Sequence, residues 1–224
     1  MAIGKLNLAI TDGKAPRLVL DSSVPNVNTI SAIKERVDNP SLTTLRSPLA
    51  GYSTVSDLVG FSLDVKAAHK QVLVREAEQG LLMFRHNDKL YAYRSCHFGG
   101  KLSACWWARV GALLHRLAHE CVHINHIGLL FVDDWLWLFE EQAAPLIASM
   151  LTLCLVAIGV PLSWTKLEFG RQLRWIGWEL SFDLGVCTVP PNKLERMLVF
   201  LQSVVNCKSF FPRKDLEKGM GLLL

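Results

Sequence analysis

The chain has no C-x-x-C pair, although it carries six cysteines: Cys96, Cys105, Cys121, Cys154, Cys187 and Cys207. Most sit inside apolar runs such as Leu153-Cys154-Leu155. That is the setting of buried free thiols in a reducing, intracellular compartment rather than of a disulfide scaffold. Cytoplasm and nucleus are not distinguished. Internal repeats and low-complexity tracts are missing as well. Net charge is small: Lys plus Arg exceed Asp plus Glu by 24 to 20, a formal +4, which is compatible with nucleic acid without requiring it. The N-terminus has Lys5, Asp12 and Lys14 around a short apolar stretch and does not read as a secretory leader. Residues 142–165 lack any formal charge and are long enough to span a bilayer. Pro145, Ser149, Thr152, Gly159 and Pro161 interrupt them, however. Leu146, Ile147, Met150, Leu151, Cys154, Leu155 and Ile158 form one helical stripe, so a core helix is expected and no membrane. What is abundant is apolar side chain. Half of the 224 residues are hydrophobic, which excludes global disorder and suffices for one large domain or two small ones.

Local patterns outline a mixed chain. Residues 17–21 read as a strand and 22–57 as loops with short helical pieces. Residues 61–64 read as a strand, and 75–80 as a helical turn ending at Gly80. Residues 81–85 and 90–94 form a hairpin around His86-Asn87-Asp88-Lys89, of a looser kind than the tightest. A long helix follows Gly99-Gly100, with Leu102, Trp106, Val110, Leu113, Leu117 and Cys121 at helical spacing. Residues 127–132 and 135–139 are strongly apolar strands joined by Asp133-Asp134 alone. A second hairpin over 173–189 turns at Asp183-Leu184-Gly185. Residues 192–205 form an amphipathic helix with Leu194, Met197, Leu198, Leu201 and Val205 on one side. The fold class expected is α+β with antiparallel pairing.

Adjacent carboxylates between apolar strands repel one another unless a cation lies between them. Hard carboxylate oxygens suit Mg²⁺, which shares its shell with substrate phosphates. Asp64 ends another apolar strand 69 residues before Asp133. Three acids brought together could hold two metals about 3.5–4 Å apart, clamping the two oxygens of a phosphoryl transfer. Taken alone, Asp133-Asp134 is equally an acidic turn and Asp64 a helix cap.

Several motifs in order sharpen this. Phe131-Val-Asp-Asp134 resembles the aromatic-x-Asp-Asp box of reverse transcriptases, and Phe61-Ser-Leu-Asp64-Val-Lys-Ala-Ala-His69 resembles their first palm motif. Cys96-His-Phe-Gly99-Gly-Lys-Leu-Ser-Ala104 is similar to the glycine turn and helix that hold the templating pair. Gly159-Val-Pro-Leu-Ser-Trp-Thr-Lys166 is similar to the loop ending in a family lysine. Trp175-Ile176-Gly177 resembles the primer grip, and Arg17-Leu-Val-Leu-Asp21 followed by Asn26 the fingers strand that reaches the triphosphate. The resemblance covers about residues 17–205, in the family's order.

The resemblance implies an RNA-directed DNA polymerase of a retroelement such as a retrotransposon, with a right-hand architecture. Residues 1–60 would be partial fingers and 61–182 the palm with the primer grip, 81–94 being a fingers/palm hairpin. Residues 183–224 would be a truncated start of thumb, with no segment left for RNase H or integrase. Asp64, Val65, Asp133 and Asp134 would hold two Mg²⁺ ions, with Mn²⁺ as a substitute, and Lys166 would serve the leaving pyrophosphate. Arg17, Ala67, Ala68, His69, Phe98 and Gly99 would bind the nucleotide. Partners would be an RNA or DNA template with primer, and dNTPs; the oligomeric state is left open. Arg17 and Lys166 could equally be solvated charges, and Phe98 plain core. The family usually has Tyr or Phe where His69 stands, the ring that excludes the 2′-hydroxyl, so sugar selection is in question. The family's proline-containing approach to the glycine turn is replaced by Cys96-His97-Phe98.

Other readings compete. His119-Glu120-x-x-His123 matches the zinc-protease helix, with His115 and His126 nearby, but Val122, Ile124 and Ile127 lead into a strand, so the helix is expected to end within the motif. An RNA-templated RNA polymerase shares a three-acid palm. An inactive relic palm would bind primer–template without extending it.

Overall fold

The computed structural model describes residues 1–11, 14–207 and 211–223. The strand expected at 17–21 is the end of a longer one, β2 (Lys14–Asp21), which pairs antiparallel with β1 (Ile3–Thr11) from Lys5↔Asp21 to Thr11↔Lys14. The short helices α1 (Val27–Ile30) and α2 (Leu42–Leu49) fall in the stretch expected to hold such pieces, α2 being closed by a reciprocal Ser41–Thr44 capping box. β3 (Leu58–Asp64) follows, buried at every position. After the one-turn helix α3 (Glu76–Gln79) come β4 (Met83–His86) and β5 (Lys89–Ala92). Their connection is the tightest kind, contrary to the sequence reading. His86 pairs with Lys89, and Asn87 and Asp88 take φ of 48° and 57°. Those are the residue types that tolerate the left-handed region. The first sheet has the order β2-β1-β4-β5, and β1–β4 is parallel, a departure from purely antiparallel pairing.

The long helix α4 (Lys101–Glu120) leads into β6 (His126–Phe131), β7 (Asp134–Glu140) and α5 (Ala144–Ala157). The short strand β8 (Glu168–Gly170) completes an antiparallel sheet of order β6-β7-β3-β8. Alternation along β7 divides two cores. Trp135, Trp137 and Phe139 face Trp107 and Ala118 of α4 and Ile147 and Leu151 of α5. Leu136 and Leu138 face a third sheet, of the three strands β9 (Gln172–Trp175), β10 (Trp178–Ser181) and β11 (Val186–Thr188). Burial on both faces explains why β7 reads as an unbroken apolar run although its pairing is antiparallel. Gly60 in β3 lets the sheets approach: a Cβ there would lie 2.1 Å from Leu173.

Three expectations need correction. The buried face of α4 is Ser103, Trp107, Gly111 and Ala118, whereas Leu102, Trp106, Leu113 and Leu117 are exposed. Close packing on β6 selects small residues: a Cβ on Gly111 would meet Leu130 at 3.1 Å. In α5 the core face is Ala144, Ile147, Ala148, Leu151 and Leu155, while Leu146 and Ile158 are exposed. The single hairpin expected at 173–189 is a three-stranded meander. It has a turn before Gly185, as expected, and another at Ile176-Gly177, where φ is 43° and 79°. The last helices, α6 (Pro191–Val205) and α7 (Arg213–Leu223), pack on each other, and α6 has no buried residue. Among the described residues no helix is long and apolar enough to cross a membrane.

Candidate active site

The β6–β7 turn lies one residue earlier than the sequence suggests. Phe131 pairs with Asp134, so the turn is Val132-Asp133 and Asp134 begins β7. Val132 takes φ 56°, a costly conformation for a β-branched residue. Two hydrogen bonds fix it: Trp107 Nε1–H donates to the Val132 carbonyl at 2.7 Å, and the Val65 amide donates to the Asp133 carbonyl at 3.2 Å. Trp107 was not singled out in the sequence; next to Trp106, it is distinguished only by which helix face is buried.

Asp64, the last residue of β3, sits directly opposite Asp134. Its side chain is buried and accepts a hydrogen bond from Lys166 Nζ at 2.6 Å. The Lys166 loop is fastened to the same spot. Ser163 N–H donates to the Asp64 carbonyl at 2.8 Å, and Val65 bridges to Leu162. Burial pushes the Asp133 carboxyl up, with help from the charge of Asp64. Asp134 is pushed up to about 6, by burial first, then by its hydrogen-bonding contact with Asp64 and the charges of Asp133 and Asp64. Burial works against the Lys166 charge, but Asp64, Asp134 and Asp133 outweigh it and raise the ammonium. The site thus concentrates negative charge that one lysine only partly offsets.

Other expected site residues form a second group. Ala67 takes φ 52° ahead of a 3₁₀ turn at Ala68–Gln71, burying Ala68 and presenting His69. The His69 ring packs edge-on to Phe98, centroids 5.5 Å apart, and the Arg17 guanidinium lies 5.8 Å over the Phe98 ring. Burial lowers the His69 pKa, partly countered by the charge of Asp133, so the imidazole is neutral near pH 7. Its Nε2 has no hydrogen-bond partner among the described residues. Gly99 has φ 97°, and a Cβ there would be 2.2 Å from the Leu20 carbonyl oxygen of β2. Trp175 and Ile176 belong to the second core, with Leu173, Leu180 and the Leu136 and Leu138 face of β7, and alternation along β3 and β7 puts Asp64 and Asp134 on that same face of their sheet. Trp175, Ile176 and Gly177 are brought together as a turn of the three-stranded sheet, which packs on the face of β3 and β7 that carries Asp64 and Asp134 at its end.

The zinc-protease motif does not form. α4 ends at Glu120, with Cys121 as its cap, so His123 lies beyond the helix that would align it with His119. Among the described residues no group of three or more His, Cys, Asp and Glu is drawn together as a metal cage. Instead His119 Nδ1 lies 2.7 Å from His126 Nε2, and His115 packs against His119, Trp135 and Trp137. Burial, followed by the neighbouring His119 and His126, pushes the His115 pKa down to about 4. A ring held neutral in the fold and titrating at 6.5 when unfolded contributes fully above pH 6.5, and its contribution is lost as pH falls toward 4. Between pH 7 and pH 5 the chain should lose about 2 kcal/mol through this group. In urea titrations at both pH values His115→Leu should lose correspondingly less; an unchanged pH dependence would remove His115 from the acid response.

No protein-family model and no curated protein matches this sequence. Solved structures do. The foamy viral protease-reverse transcriptase dRH in complex with double-stranded DNA aligns with a TM-score of 0.75 at 16% identity, over 98% of this chain and 35% of that one. The foamy viral protease-reverse transcriptase in complex with an RNA/DNA hybrid aligns at 0.70 and 14%, over 98% of this chain and 27% of that one. The fold is reverse-transcriptase-like, and the chain spans about a third of the length of the first of these proteins.

Proposed function

We propose that the chain is the nucleotidyl-transferring core of an RNA-directed DNA polymerase. The observation that carries this reading is the placement of Asp64 opposite Asp134, beside a strained turn that projects Asp133. In this reading β1–β2 and β4–β5 belong to fingers, the β6-β7-β3-β8 sheet with α4 and α5 is the palm, and α6–α7 begin the thumb.

The donor chemistry fits divalent metal. Three carboxylates with hard oxygens crowd one end of a sheet, and two have pKa values raised by that crowding and by burial. A site without a complete protein cage is consistent with Mg²⁺, which commonly takes one or two carboxylates and completes its shell with substrate phosphates and water. Asp64, Asp133 and Asp134 would hold it, with Val65 alongside. When bound, it would neutralise charge developing on the attacking and leaving oxygens.

The chain's own residues supply the positioning. Arg17 offers a guanidinium fork to phosphate oxygens above Phe98. Lys166 keeps a proton at Nζ against Asp64, ready to pair with the departing pyrophosphate. His69 presents a neutral ring where family members place a larger aromatic one. The bond formed joins the primer 3′-oxygen to the α-phosphorus, and the bond broken releases pyrophosphate. Positioning dominates such a transfer.

Primer extension on an RNA template with dNTPs tests this. The expected result is extension that requires Mg²⁺ and stops on chelation. Binding of primer–template without extension by folded protein would favour the relic reading. Failure to bind would leave only the fold in common.

A further inference from the structure

The end of β2 and the start of α4 are joined by hydrogen bonds that the proposed chemistry does not use. Asn28, half-buried in α1, spans the seam with both ends of its side-chain amide. Nδ2 donates to the Gly99 carbonyl at 2.8 Å, and Oδ1 accepts the Lys101 amide at 2.8 Å. Nδ2 also lies 3.3 Å from Ser23 Oγ. Lys101 Nζ returns a bond to the Ser31 carbonyl at 2.8 Å, and the Asn28 amide donates to the Ser22 carbonyl at 3.2 Å. Behind the turn, buried His97 has Nδ1 2.9 Å from the Phe98 carbonyl, which also accepts the Leu20 amide at 3.1 Å.

The two bonds of Asn28 serve different ends. α4 has no side-chain cap of its own, because Gly100 stands at that position, so Asn28 Oδ1 takes up an otherwise unpaired first-turn N–H. The bond to Gly99 fixes the turn whose preceding residue, Phe98, touches both Arg17 and His69. A donor and an acceptor on separate atoms of one short side chain are what this demands, and a primary amide supplies both.

We infer that Asn28 is a positioning residue: it clamps the Gly99-Gly100 turn so that Phe98, Arg17 and His69 form one nucleotide subsite. The nucleotide in that statement rests on the polymerase reading; the clamp does not. Asn28→Asp separates the two bonds. A carboxylate still accepts the Lys101 amide and suits a helix N-terminus, but it turns an acceptor toward the Gly99 carbonyl. Asn28→Ala removes both bonds.

The full-length chain and both variants would be compared by thermal melting, by primer-extension kinetics and by amide hydrogen exchange over residues 96–101. For Asn28→Asp the expected melting point is close to wild type, with KM for the incoming dNTP raised about tenfold, kcat within about twofold, and exchange about threefold faster. Asn28→Ala should lower the melting point as well. Wild-type KM and exchange in Asn28→Asp would reduce Asn28 to a helix cap and overturn the inference. If the wild-type chain extends no primer, the polymerase reading fails separately, and exchange decides the clamp. Faster exchange at 96–101 in Asn28→Asp then keeps Asn28 as the residue that fixes the turn; unchanged exchange removes it.

Discussion

Asp133→Asn should reduce template-directed primer extension about a thousandfold or more, equivalent to ~4 kcal/mol in the barrier, while the fold remains intact. The loss follows from replacing a charged, hard-oxygen ligand by a neutral amide where the phosphoryl charge must be met. The fold survives because the carboxylate is unwelcome in the metal-free protein. Burial and Asp64 already push its pKa up, so neutralising it relieves repulsion. The melting point in chelator should be equal to or above that of the wild type. Asp64→Asn should lose activity to the same degree, with little folding penalty: the lysine it leaves behind has 59% of its side chain in solvent and can turn outward. Single-turnover extension at saturating Mg²⁺, with circular dichroism of each variant, checks both. Extension within about tenfold of wild type in a folded Asp133→Asn protein would remove Asp133 from the reaction.

Gly99→Ala should destabilise the chain by about 3 kcal/mol or more and disconnect the β1–β2 hairpin from α4. Two penalties coincide. The backbone at φ 97° is strained for any residue with a Cβ, and that atom would lie 2.2 Å from the Leu20 carbonyl oxygen, a backbone atom that cannot rotate away. The Leu20–Phe98 bond would break as the turn moved, taking Phe98 from Arg17. Gly80→Ala is the matched control. Gly80 has φ −61°, and no atom of the described residues lies within 4 Å of an added Cβ, so the change should be neutral or slightly stabilising. Urea unfolding of the two variants measures the difference; equal midpoints would contradict the close approach at Gly99.

The strands that carry the acids were legible because their apolar runs are long and end on charge. β3, β6 and β7 lie within a few residues of the expected spans, and Asp64 does lie beside Asp134. The one-residue error at the Val132-Asp133 turn was not avoidable by pattern, since a valine at φ 56° contradicts its own preference and only the surrounding bonds enforce it. The buried face of α4 was misjudged for a related reason. Its aliphatic stripe is the more conspicuous one, yet the buried face carries Ser103, Gly111 and Ala118, small residues that no apolar stripe picks out. β1 was readable in principle: Leu6, Leu8 and Ile10 alternate, and Asp12-Gly13 follows, a pair that favours a tight reversal. Asp12 and Gly13 themselves lie outside the described residues. The meeting of Arg17, His69 and Phe98 depends on three distant segments and follows from no local rule. Asn28 has no local signal either, since both of its decisive partners lie more than seventy residues away.

The position of β3 between β7 and β8 bears on how the chain is made. β3 leaves the ribosome as a largely apolar strand that the fold buries at every position, and both of its sheet neighbours are encoded downstream. Asp134, the partner of Asp64, follows 70 residues later. At ~5–20 residues per second, β3 waits several seconds before β7 exists to cover it, whereas α4, β6, β7 and α5 are contiguous and can assemble on each other as they emerge. Nascent-chain aggregation and chaperone dependence should therefore concentrate in the interval between these two strands, and the pairing that creates the acidic site cannot form before that interval closes.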